Sequence, residues 1–156
     1  MPDLPNDNIS SDQIKQLENG LESNTSMWRD EISTLNSKLK NFDSLTDLMN
    51  EVYTKRQIAV EQKLNVAVNI SRLNARYEER KSAYYQHYKT NSQIKLTDGA
   101  INTIIDGDLR ELNYIISIYN NYYRYMEEIV KTIDGIMYGI NSRITIEQIT
   151  RGLNSN

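Results

Sequence analysis

Apolar residues recur at helical spacing along most of this chain, and the pattern is clearest in its last third. Steps of about 3.5 residues from Ile101 meet Ile105, Asp108, Leu112, Ile115, Tyr119, Tyr122, Met126, Ile129, Ile133, Ile136 and Ile140. Eleven of these twelve positions are apolar, which predicts one long helix seam. The exception, Asp108, follows Gly107 and predicts a helix restart with Asp108 as its cap. From there to Ile140 the helix would be roughly 50 Å long at about 1.5 Å per residue. Ile104, Ile116, Ile118, Tyr123, Val130 and Met137 lie beside the seam as a second apolar face, one that a two-helix arrangement leaves for another subunit to cover. Gly139 and Asn141 predict a helix end, followed by a short apolar segment of Ile144, Ile146, Ile149 and Leu153 suited to association.

Upstream, a stripe of Leu45, Leu48, Val52, Ala59, Val66, Ile70, Leu73, Tyr77 and Tyr84 predicts a helix from Leu45 to about Thr90. Lys63 and Arg80 stand on this stripe where apolar residues belong. Ser44 and Asp47 have the spacing of a capping box, and the pattern breaks near Asn41 to Ser44. Ser26 caps a helix carrying Trp28, Ile32, Leu35 and Leu39, while Ser10 or Ser11 starts a short helix that ends near Leu17, before Gly20. Residues 1–9, which hold both prolines, read as disordered. The polar stretch from Thr90 to Thr97 reads as a connection, with Thr97 capping the next helix. The predicted fold is all-α: a long antiparallel helical hairpin with short flanking helices, assembling through its C-terminal helices into a ring-like homo-oligomer. Its regions are an acidic arm (1–25), a long helical arm (26–96) with a basic segment (72–95), and a C-terminal helical oligomerisation region (97–156).

Composition adds two constraints. Apolar residues make up 38% of the 156, a thin supply that suits helices sharing a core rather than a compact globule. There is no cysteine, so a disulfide framework and a thiol nucleophile are excluded, and zinc would have only the lone His87 beside carboxylates. The start of the chain has neither the basic nor the apolar stretch of a signal peptide, and no window reaches a membrane span, so a cytoplasmic protein without membrane contact is expected. Charge is unevenly spread. Residues 1–51 hold four Lys and Arg against ten Asp and Glu, residues 52–97 nine against three, and residues 98–156 five against eight.

The basic middle segment interleaves cations with tyrosines. Arg72, Arg76 and Arg80 recur at i, i+4 with Lys81 alongside and Lys89 and Lys95 further on, and Tyr77, Tyr84, Tyr85, His87 and Tyr88 lie within reach. Cations can follow a phosphate backbone while flat rings stack on bases, the combination that single-stranded nucleic acid needs. An ordinary solvated basic face with tyrosines filling a helix seam fits equally well, because Glu78 and Glu79 interrupt the cations and Tyr77 and Tyr84 fit the apolar stripe. Tyr119, Tyr122, Tyr123 and Tyr125 form a second aromatic cluster that reads more simply as seam than as a stacking platform. Asp106 with Asp108, and Glu127 with Glu128, read as helix caps and solvated faces rather than acid/base pairs. No phosphate-loop, dinucleotide or nucleophile-elbow motif occurs, so neither an enzyme nor a cofactor is expected.

The basic helix ending in Tyr84-Tyr85, the polar connection, the Asp106-Gly107-Asp108-Leu109 restart and the tail from Ile133 to Ile149 together resemble the UvsY family of recombination mediators from T4-type bacteriophages. The resemblance spans roughly residues 40 to 153. It implies a non-enzymatic, ring-forming protein of the infected bacterial cell. Such a protein binds single-stranded DNA and helps load a RecA-like phage recombinase onto strands covered by single-strand-binding protein, in recombination-dependent replication and repair. Family DNA contacts map onto Arg80 and Lys81; Glu79 stands where a further cation belongs, with Arg76 and Arg72 placed to compensate. Oligomerisation maps onto Ile129, Ile133, Ile136, Met137, Ile140, Ile144, Ile146, Ile149 and Leu153. From another class, the same apolar faces fit a helical adaptor or virion component that does not bind DNA.

Overall fold

A computed structural model describes residues 10–39, 45–91 and 95–153. Among them every regular element is helical: α1 (Ser11–Lys38), α2 (Leu45–Asn91), α3 (Asp98–Asp108) and α4 (Arg110–Leu153). The all-α expectation holds. The expectations for residues 1–9 and for the Ser44 cap fall outside the described residues. The chain divides into two compact units, one formed by residues 1–19 and 66–122, the other by 20–65 and 123–156.

In the second unit the polar contacts fix the helix directions. Lys38 pairs with Glu51 and Lys55 with Glu31, both at 2.7 Å, and the Trp28 indole N–H donates to Gln62 Oε1 at 2.8 Å. Partner numbers rise along α2 as they fall along α1, so these helices are antiparallel. Arg56 meets Asp134 at 2.5 Å and Lys63 lies over the Tyr123 ring at 5.9 Å, which makes α4 antiparallel to α2 as well. The Tyr125 hydroxyl donates to the Thr25 carbonyl at 3.0 Å and Arg143 donates to the Leu39 carbonyl, so α1 runs parallel to α4. Three helices thus share one core, in which Trp28, Leu35, Val52, Met126, Ile133 and Ile140 are almost wholly buried. Each such aliphatic side chain stabilises the fold by roughly 2–3 kcal/mol.

Three sequence expectations are corrected. α1 is one helix through Gly20 rather than two: glycine in a helix costs only about 1 kcal/mol relative to alanine, and the anchors Trp28 and Leu35 outweigh it. α4 does not end near Gly139 but continues to Leu153, and Val130 of its second apolar face is buried within the chain. The interruption between α3 and α4 falls on Leu109, not on an Asp108 cap. The Leu109 N–H donates to the Ile105 carbonyl at 2.9 Å, and its own carbonyl accepts from the Asn113 N–H at 3.0 Å. Leu109 is buried, so its side chain pins the joint into the core of the first unit.

Candidate nucleic-acid interface

Residues 72–91 of the basic segment belong to the part of α2 within the first unit, and Lys95 lies beyond that helix. Successive i+4 steps on a helix advance by about 40°, so a row of three arginines winds around the axis by about 80°. Arg72 and Arg76 are exposed accordingly, while Arg80 arrives on the apolar seam and keeps only 8% of its surface. Among the described residues no buried side-chain polar atom lacks a hydrogen-bond partner. Spacing groups the three arginines on one face; the structure separates Arg80 from the other two. Lys81 is half-buried, with its ammonium 5.8 Å from the Tyr77 ring centroid. Lys89 and Lys95 are exposed, as are Glu78 and Glu79.

The tyrosines face inward. Thr97 caps α3 by accepting from the Ala100 N–H at 3.3 Å, and this segment sets Ile101, Ile105 and the adjoining Leu109 against Tyr77, Tyr84, Tyr85 and Tyr88. These rings are half-buried seam filler whose polar ends reach water and carboxylates. The Tyr85 hydroxyl donates to Asp98 Oδ1 at 2.8 Å and the Tyr88 hydroxyl donates to Asp108 Oδ2 at 2.6 Å. The two ends of α3 are therefore fastened to α2 by one hydrogen bond each. Tyr84 and Tyr88 are near-parallel at 6.3 Å between centroids, and His87 meets the Tyr88 ring edge-on at 5.6 Å.

Lys89 closes the cluster, with its ammonium 3.2 Å from the Tyr85 hydroxyl, 5.1 Å from that ring's centroid and 4.0 Å from Asp98 Oδ1. The Tyr85 contact and the Asp98 charge raise the Lys89 pKa above that of an ordinary lysine. Its hydrogen bond to Asp108, reinforced by burial, pushes the Tyr88 phenol up to about 12. Both groups keep their protons through the neutral range.

Asp98 and Asp108 emerge here as partners of the aromatic cluster. Helical periodicity within α2 carries no signal for them, because the pairing joins two different helices. In the second aromatic cluster, Tyr122 is buried in the first unit and Tyr119 is half-buried there. Tyr123 and Tyr125 are engaged in the second unit, Tyr125 with a pKa raised by burial. None of the four presents an open platform.

Of the residues expected to join subunits, Ile129, Ile133, Ile136 and Ile140 are buried within the second unit, and Met137 and Ile144 are half-buried. Ile146 and Ile149 are 62% and 58% exposed on the turns beyond Arg143, where α1 ends, and Leu153 closes the helix. Tyr138, outside the expected set, is 76% exposed. Among the described residues no cluster of His, Asp or Glu could hold a metal, and no helix is long and apolar enough to cross a membrane. No family model, curated protein or solved structure matches the chain.

Proposed function

We propose that this protein is a non-enzymatic, single-stranded-DNA-binding recombination mediator of a phage-infected bacterial cytoplasm. In that role it helps load a RecA-like recombinase onto strands covered by single-strand-binding protein. The observation that carries the reading is the exposed pair Arg72 and Arg76, one turn apart on α2, in a segment whose exposed Lys89 and Lys95 extend the positive charge. Cations so spaced neutralise successive phosphates without reading sequence. The mediator role rests on the resemblance to the UvsY family. Copies of the chain assemble through the C-terminal turns of α4, where Ile146, Ile149 and Tyr138 are exposed, and repetition turns one modest patch into a multivalent site.

The inward tyrosines favour a second reading, a helical adaptor or virion component that assembles through the same apolar turns and leaves DNA alone. Anisotropy of a labelled single-stranded oligonucleotide, titrated at low and moderate salt, separates the two. Binding that falls steeply with salt and is lost in R72E/R76E supports the mediator. No binding at low salt, or binding indifferent to salt, removes it.

A further inference from the structure

We propose that α3 is a releasable cover over a base-stacking surface: when it detaches, the faces of Tyr84, Tyr85 and Tyr88 become available to the bases of single-stranded nucleic acid. This rests on the proposed nucleic-acid function and adds to it a second, aromatic layer beneath the cationic one. The geometry that supports it is local to the first unit. α3 packs Ile101 and Ile105, with the adjoining Leu109, against these tyrosines, so a base and α3 would compete for the same apolar surface. At its ends the cover is held by two solvent-exposed hydrogen bonds, Tyr85 to Asp98 at 2.8 Å and Tyr88 to Asp108 at 2.6 Å.

The chemistry of the fasteners suits exchange with a nucleic acid. Asp98 sits 4.0 Å from the Lys89 ammonium, where an arriving phosphate would offer the same partner, and the departing carboxylate would be repelled by that phosphate. Once detached, a helix of 11 residues is too short to persist in water, so it unwinds rather than moving as a rigid body. Helix propensity within α3 therefore counts toward the closed form. Gly99 and Gly107, near its two ends, leave open space where a Cβ would go, so alanine fits at both without disturbing the packing.

Two charge-neutral variants push the cover in opposite directions. Y85F/Y88F removes both fasteners while keeping the rings, and G99A/G107A strengthens the helix. Because apparent affinity scales with the open fraction, Y85F/Y88F should bind labelled oligothymidylate roughly three- to twentyfold more tightly than the parent protein. G99A/G107A should bind it roughly threefold or more weakly. An abasic strand of equal length, which has the phosphates without the bases, should be bound alike by all three proteins. Circular dichroism establishes that each is folded. Parent-like affinity in both variants, or equal gains on the abasic strand, overturns the cover while leaving phosphate binding intact. Failure of the parent protein to bind either strand at low salt overturns the nucleic-acid reading itself.

Discussion

Arg76 and Arg80 stand one helical turn apart, and alanine at the two positions should produce opposite phenotypes. Arg76 is exposed, so its loss should change folding stability by no more than about 1 kcal/mol, the ceiling for a surface contact. If its charge lies along the strand, Arg76→Ala removes one phosphate contact and lowers the slope of log K against log salt by about 0.7. Arg80 keeps 8% of its surface. Truncating it discards the packing of its aliphatic stem and the contacts of a buried charge, for a net loss of about 2–3 kcal/mol. In a chain of 156 residues that lowers the melting temperature by about 4–12 °C. Thermal melts and salt-dependent anisotropy on the two variants give four readings. Arg80→Ala reducing the salt slope while melting like the parent, or Arg76→Ala melting early, would overturn these assignments.

Three further outcomes are expected from the packing. Trp28, the only tryptophan, is 1% exposed and donates to Gln62, so its emission should be blue-shifted, and Trp28→Ala should cost about 3–5 kcal/mol in urea unfolding. Tyr88 ionises in the folded chain only near pH 12, above the ordinary phenol value of 10. The stability it contributes should therefore be complete below pH 10 and vanish as pH rises through 12, and absorbance titration of Y88F should lack that late-ionising phenol. I146D/I149D should leave the melting temperature within about 2 °C of the parent, since both side chains are exposed, yet lower the mass seen by sedimentation if these turns join subunits.

Much of the architecture is legible in the apolar spacing. The stripe from Leu45 and the seam from Ile101 delimit α2 and most of α3 and α4, because each of these long segments buries one continuous face. The same stripe places Arg80 at a seam position, and the structure buries it there; three arginines at i, i+4 do not stay on one face over two turns. α1 is less legible. It buries only Trp28 and Leu35 fully, and Gly20 and its many serines and asparagines dilute the period. Polar contacts such as Lys55 to Glu31 and Arg143 to the Leu39 carbonyl join residues far apart in sequence, which periodicity within a helix cannot register. The candidate interface is half legible for the same reason. Its cations can be named from composition, whereas the inward turn of the tyrosines depends on α3 folding back over them.

The joint at Leu109 has a consequence for how the first unit comes apart. Leu109 donates backward to Ile105 and accepts forward from Asn113, so α4 begins with an acceptor that does not depend on α3 remaining helical. Two adjoining helices so connected can open as separate cooperative segments. In native-state amide hydrogen exchange, the protected amides from Ile101 to Leu109 should exchange together at one opening free energy. Those from Asn113 onward should exchange at a distinctly higher one, with the step at Leu109 marking where local melting of the chain stops.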